Sequence, residues 1–239
     1  YPCVVKAPTS KDGEGFSFVH SDADLADAWR AADRGLGQGA VVERFIDFDF
    51  EVTILAARSI DPSTGELATW FCEPIGTRHR EGRLVESWQP APLPEAAMDN
   101  ARSIAARITG ALASCGIFSV EMFVSGDDVY FSQVTPRPSR DGLVTFVTQR
   151  INQFDLQAHA TQRLPIDSTL ISPGAVRFLE GHPSQAALAA AMAVEEVTVR
   201  MLGDGTLVLA TADSAAEARQ RTDEAVREIY RVDGKPGEN

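Results

Sequence analysis

The sequence lacks any apolar run approaching the roughly 20 residues that span a bilayer, and no charged-then-apolar leader opens it. A helical membrane anchor is therefore not expected. Cysteine is scarce: Cys3, Cys72 and Cys115 are odd in number and show no C-x-x-C spacing. That argues against a disulfide frame or a zinc site and for reduced thiols, hence a cytoplasmic setting. Basic residues are outnumbered, with 22 Lys and Arg against 34 Asp and Glu and a net charge of −12. A nucleic acid needs a basic face, so that partner class is not expected. Any anionic ligand must be held by local positive groups or a metal, against the overall field. Internal repeats and low-complexity segments are also missing.

What is present is globular in character. At 239 residues, 44% of them hydrophobic and 23% charged, the chain can build one large domain or two small ones around a sizeable core. It begins at Tyr1, directly on an expected strand, and is read as a piece of a longer polypeptide.

The stretch Gly116–Gly142, GIFSVEMFVSGDDVYFSQVTPRPSRDG, organises the reading. Two apolar strands, 118–124 and 129–134, are joined by the turn residues Ser125-Gly126-Asp127-Asp128. A hairpin closed there sets Glu121 roughly opposite Gln133, with Arg137 just past the second strand. Two oxygen ligands on adjacent strands can hold Mg²⁺ against nucleotide phosphates, and an arginine beside them can neutralise phosphate or carboxylate. The residues alone fit an ordinary hairpin with a chance charge pair equally well.

Upstream, the short strand Cys3-Val4-Val5-Lys6 leads into Pro8-Thr9-Ser10-Lys11-Asp12-Gly13-Glu14-Gly15 and a second strand, 16–20. Glycine permits backbone N–H groups to close over phosphate oxygens, and Lys6 can reach them as a point charge. A G-x-G loop between strands is also the composition of a plain hairpin turn. Ser21 to Asp24 reads as a capping box opening a helix whose apolar face is Leu25, Ala28, Trp29 and Ala32. A strand at 40–43 follows. Then come paired strands at 52–57 and 69–74, and a charged loop, 76–83, with three arginines. A helix over 94–115 is expected to bury Met98, Ile104, Ala105, Ile108 and Leu112, and another helix covers 152–162. The C-terminal part reads as strand 174–179, helix 184–193, strands 197–202 and 207–211, and a helix from Ser214 to about Tyr230. The polar tail 233–239 is expected to be disordered.

Four stretches carry a resemblance: YPCVVKAP with SKDGEGF, VVERFIDFDFEVT, ESWQP, and VEMFVSGDDVYFSQVTPRP. In that order they resemble ATP-grasp enzymes, and within them the family of formate-dependent phosphoribosylglycinamide formyltransferases of purine biosynthesis. The likeness runs from Tyr1 to about Arg231. It implies an α+β ATP-grasp fold with a small lobe over 1–46, a larger lobe over 47–170 and a C-terminal α/β appendage over 171–239. It also implies a missing N-terminal Rossmann-like domain, and a homodimer formed by the full-length chain.

The resemblance implies ATP and Mg²⁺ as cofactors, with formate activated to an acyl phosphate and transferred to the amine of glycinamide ribonucleotide. Lys6 and the loop Lys11, Asp12, Gly13, Glu14, Gly15 and Phe16 would meet the phosphates. Glu43, Arg44, Phe45 and Ile46 would present backbone groups to the adenine, and Glu51 would accept both ribose hydroxyls. Glu121 and Gln133 would hold the metal, Arg137 would stabilise the transferred group, and Arg140 and Asp141 would meet the substrate.

Three positions depart from the family. Gln133 stands where it has a second metal-binding glutamate, so the site loses one charge. Arg140 stands where it has an aspartate that contacts the ribonucleotide. Gly203-Asp204-Gly205 replaces a basic loop that binds the ribonucleotide phosphate. In addition Glu14 occupies the place of a lysine in the glycine-rich loop. These departures keep two other readings open: a carboxylate–amine ligase with another substrate, and a non-catalytic nucleotide-binding relative.

Overall fold

The computed structural model describes residues 1–8, 15–80, 82–112 and 114–234. The chain divides into two units, Tyr1–Phe48 with His79–Leu84, and Asp49–Arg78 with Val85–Asn239.

In the smaller unit, β1 (Cys3–Lys6) lies between β2 (Ser17–Val19) and β3 (Val41–Arg44), antiparallel to both. Alternation along β1 turns Val5 inward, where it meets Val19 and the helix α1 (Leu25–Asp33) through Ala28 and Ala32. The expected capping box is present, with the Ser21 N–H donating to Asp24 Oδ2 at 3.0 Å. That bond and a second from the His20 N–H hold the Asp24 carboxyl below the usual carboxylate range. Only half of the expected helix face is buried, since Leu25 and Trp29 are exposed. Alanines suffice because the three-stranded sheet is too narrow to cover a wider stripe. The helix ends at Arg34 in the left-handed region (φ 52°), followed by Gly35.

The larger unit is built on a nine-stranded sheet. Its strands are β4 (Phe50–Ile60), β5 (Leu67–Phe71), β6 (Ile75–Arg80), β7 (Arg83–Gln89), β8 (Gly116–Ser125) and β9 (Asp128–Thr135). Three more, β10 (Gly174–Glu180), β11 (Val197–Leu202) and β12 (Gly205–Thr211), come from the C-terminal segment. The order is β11-β12-β10-β7-β6-β4-β8-β9, with β5 paired to the far half of β4. β10 pairs antiparallel with β7, so the expected C-terminal appendage continues this sheet.

Against one face lies α2 (Glu95–Leu112), its buried stripe Ala97, Ala101, Ala105 and Thr109 resting on Val52, Ile54, Ala56, Val120 and Met122. The expected stripe was rotated: Ile104 and Ile108 pack at its edge, whereas Leu112 is 44% exposed. Alanine at i, i+4 lets the helix axis approach the sheet, and the larger side chains then straddle the contact. Thr109 is tolerated there because its hydroxyl donates to Ala105 O at 2.8 Å. The opposite face receives α4 (Gln153–Gln162), which buries Gln153, Leu156 and Ala160.

The segment expected as a charged loop, 76–83, is strand on both sides of a turn at Gly82 (φ 77°), with Glu81 outside the described residues. Gly76 explains the pairing, because the indole of Trp88 covers it. Glu86, 1% exposed, accepts two bonds from Arg219 at 2.9 and 3.0 Å and pairs with Arg78 at 3.0 Å. Arg219 also lies 3.9 Å over the Trp88 ring. It belongs to α6 (Ala215–Asp233), which with α5 (Gln185–Ala191) covers β10 to β12. The expected tail beyond residue 234 lies outside the described residues.

A Cβ at position 76 would fall 2.2 Å from the Trp88 ring, so Gly76→Ala is expected to lose about 1–3 kcal/mol through forced displacement. Urea denaturation midpoints check this, and a midpoint equal to the wild type would mean that Trp88 moves aside freely. Cys72 is 1% exposed, and burial raises its thiol from 9.0 to about 11. The folded chain thus holds this proton more tightly than the unfolded one, and stability falls as pH climbs through that window. At pH 8 a thiol reagent should modify the half-buried Cys3 and Cys115 before Cys72. Equal rates at all three would contradict the burial argument.

Candidate functional site

In the smaller unit, the register Val4↔Glu43 and Lys6↔Val41 puts Lys6 and Glu43 on diagonal positions of adjacent strands. Their side chains form an ion pair at 2.6 Å, 27% and 38% exposed. An incoming phosphate would compete with a carboxylate for Lys6. Of the glycine-rich loop, Lys11, Asp12, Gly13 and Glu14 lie outside the described residues. Gly15 sits at φ +74° with Ala7 Cβ only 2.8 Å from where its own Cβ would be, and its carbonyl accepts from Ala7 N at 3.0 Å. Phe16 meets Phe18 edge-on at 4.9 Å, and Phe18 meets Phe45 at 5.9 Å. This aromatic cluster ties the end of that loop to the segment Glu43–Ile46, where Arg44 is exposed and Ile46 half-buried.

In the larger unit, Glu51 on β4 stands between Thr77 on β6 and Phe123 on β8. Two residues on, Thr53 stands opposite Glu121, and Glu121 stands opposite Gln133 on β9. The expected pairing of those two side chains is therefore present, and they form a hydrogen bond in which Gln133 Nε2 donates to Glu121 Oε2 at 2.7 Å. A bulge follows at once, since Met122 pairs with Phe131 and not with Ser132. Bulges re-aim side chains next to them. The turn is a two-residue Gly126-Asp127 loop, with Gly126 at φ +56° in the first central position that type II′ hairpins reserve for glycine. Gly203-Asp204 closes β11–β12 in the same way, with Gly203 at φ +62°.

Arg137 is exposed, its Nη1 donating to Pro138 O at 2.9 Å. Arg140 is exposed too, its guanidinium 5.4 Å over the Phe178 ring. Asp141, by contrast, is 6% exposed. Its carboxylate accepts from Thr53 Oγ1 at 2.8 Å and its carbonyl from Ser87 Oγ at 3.0 Å. It thus binds the loop after β9 to strands β4 and β7, on the sheet face that carries Glu121. Sequence reasoning overlooked Thr53, Ser87, Ser139 and Gln153. Thr53, Ser87 and Gln153 are uncharged polar residues marked by their burial, and the half-buried Ser139 by its bonds to Gln153, not by spacing. Among the described residues no group of three or more His, Cys, Asp or Glu is arranged to hold a metal.

The larger unit offers an acid–amide pair at a bulge and two exposed arginines on the following loop; the smaller unit, taken by itself, offers a lysine at a strand end. The model of the ATP-grasp domain family matches residues 1–154. A curated relative from Corynebacterium jeikeium (strain K411), named formate-dependent phosphoribosylglycinamide formyltransferase, is 50% identical over 242 residues, covering 94% of this chain and 59% of its own length. One of the same name from Paraburkholderia xenovorans (strain LB400) is 42% identical over 251 residues, covering 98% and 62%. A solved structure from Mycobacterium tuberculosis, described as glycinamide-RNase-transformylase T, aligns with a TM-score of 0.78 at 37% identity, covering 95% of this chain and 60% of that one. The chain thus spans about three fifths of the length of these curated relatives. With its strand order, its hairpin and more than half of its residues matched by the family model, the chain belongs to the ATP-grasp family.

Proposed function

We propose that the protein of which this chain forms the ATP-grasp part uses ATP and formate to formylate the amine of glycinamide ribonucleotide. The observation that carries this reading is that the chain is 50% identical over 242 residues to a relative named for that activity, with Glu121 set opposite an oxygen-bearing side chain on the adjacent strand. In this reading a formate oxygen attacks the γ-phosphorus of ATP, and ADP leaves. The substrate amine then attacks the formyl carbon, inorganic phosphate leaves, and the amine loses one proton.

The chain's contribution is placement and charge neutralisation. Lys6, once released from Glu43, and residues 11–16 would hold phosphates; residues 43–46 would meet the base. Glu51 would accept ribose hydroxyls, as a carboxylate can from two donors at once. Arg137 would neutralise the transferred group, and Arg140 would meet the ribonucleotide. Asp141 would act from beneath, by fixing the backbone at Arg140. Glu121 and Gln133 fit Mg²⁺ in kind, since one carboxylate plus neutral oxygens and nucleotide phosphates is an ordinary donor set. The ion would supply charge stabilisation for the phosphates. Gln133 must then give up its bond to Glu121 and turn its amide oxygen outward. The three-part division at 46/47 and 170/171, the homodimer and the cytoplasmic setting belong to the same proposal.

One observation favours a second reading. The Gln133 amide already satisfies Glu121, which suits a relative that binds Mg–nucleotide weakly and does not transfer formyl groups.

Calorimetric titration with Mg–ATP tests the metal site that both readings share. Gln133→Glu should tighten binding roughly tenfold, about 1.4 kcal/mol, and Glu121→Gln should weaken it by at least as much. If neither variant differs from the wild type, the hairpin is not a metal site. Incubating the full-length protein with ATP, formate and glycinamide ribonucleotide should yield the formylated ribonucleotide with ADP and phosphate. Nucleotide binding without that product would favour the second reading.

A further inference from the structure

The hairpin that carries Glu121 and Gln133 is held at both feet by one turn of helix α4. At the entry, the Ile117 N–H donates to Gln157 Oε1 at 2.7 Å. At the exit, Ser139 N–H donates to Gln153 Oε1 at 3.0 Å, and Gln153 Nε2 donates to Ser139 O at 2.8 Å. Gln153 thus pairs with one residue of backbone as a neighbouring strand would. Residues 153 and 157 are four apart and share a helix face.

Each glutamine rests on a glycine. A Cβ at Gly142 would fall 2.2 Å from Gln153 Oε1, and one at Gly116 would fall 3.3 Å from Gln157 Oε1. The stretch Gly116–Gly142 is therefore bounded by two glycines, each with a glutamine of α4 lying against it. Gln153 is fully buried. Its N–H donates to Thr145 Oγ1 at 3.0 Å, and that hydroxyl donates to Gly142 O at 2.6 Å. Ser139 is tied in turn to Ser119 of β8, hydroxyl to hydroxyl, at 2.9 Å. Residues 139 to 142 are thereby fixed from three sides, and Arg137 and Arg140 lie before and within this segment.

We infer that Gln153, supported by Gln157, is a positioning residue that sets where Arg137 and Arg140 stand relative to Glu121. The inference rests on the formyl-transfer reading for its consequence, although the clamp itself can be read without substrates. Gln153→Met is close in length and removes both side-chain bonds. Displacing a reacting group by about 1 Å can cost about 10²-fold in rate. The variant should therefore lose at least tenfold in kcat, keep the KM for ATP within about twofold, and exchange the Ser139 amide hydrogen faster than the wild type.

Gln153→Glu supplies the second measurement. Its protonated carboxyl can accept from Ser139 N and donate to Ser139 O as glutamine does, whereas its ionised form cannot. It should keep activity at low pH and lose it through an ionisation limb that the wild type lacks. Unchanged exchange at Ser139 in Gln153→Met, or faster exchange with unchanged kcat, would overturn the proposal. So would a Gln153→Glu pH profile matching the wild type. If the wild-type protein forms no formylated ribonucleotide, the formyl reading falls by itself. The clamp is then judged by Ser139 exchange, which must be faster than in the wild type in Gln153→Met and return to the wild-type rate at low pH in Gln153→Glu for the inference to stand.

Discussion

The antiparallel ladder between β4 and β8, running from Phe50↔Val124 to Arg58↔Gly116, constrains most of what surrounds it. It is buried on both faces, so side chains at successive positions have different fates. Val52, Ile54, Val120 and Met122 go to the alanine stripe of α2, and Thr53 and Glu121 go to the other face. A slip of one residue would drive Glu121 into that alanine contact and expose Met122. An ionised carboxylate in an apolar layer costs several kcal/mol, so the candidate metal ligand itself helps to specify register. The two-residue Gly126-Asp127 turn by itself would set Ser132 opposite Glu121, and the bulge between Glu121 and Met122 shifts the ladder by one residue so that Gln133 meets Glu121.

Electrostatics follow a second pattern, in which an acidic chain spends several of its cations internally. Glu86 takes up Arg78 and Arg219, with Trp88 stacked beneath the latter. That cluster seats α6 on the sheet and lies on the face away from Thr53 and Asp141. Arg78, one of the three arginines of the run 76–83, is therefore a structural partner of a buried acid. Lys6 is likewise engaged by Glu43. Binding of a phosphate would replace one ion pair by another, a smaller net gain than a charge taken directly from water. Arg137 and Arg140 differ in the contacts they make, Arg137 donating to the Pro138 carbonyl and Arg140 lying over the Phe178 ring.

Much of this was legible in the residues because it depends on local geometry. Alternation of apolar residues, the Gly-Asp turns and short connections determined the hairpin and, to within the one residue that the bulge inserts, the register at Glu121. They determined equally the strand and helix succession from Gly174 to the C-terminal helix. The Ser21–Asp24 capping box and the Asn152 helix start were readable for the same reason, since each is satisfied within a few residues. The tertiary structure decided what depends on distant partners. Asp141 reads as an exposed substrate ligand in sequence, yet it is buried because Thr53, 88 residues away, donates to it. The arginine run at 76–83 reads as a loop, yet it is strand because Trp88 needs a glycine beneath it and Glu86 needs Arg78. The buried stripe of α2 passes through its alanines because the approach of helix to sheet favours small residues over hydrophobic ones. Gln153 has no sequence signal at all, since a buried amide shows its role only through the backbone that it meets.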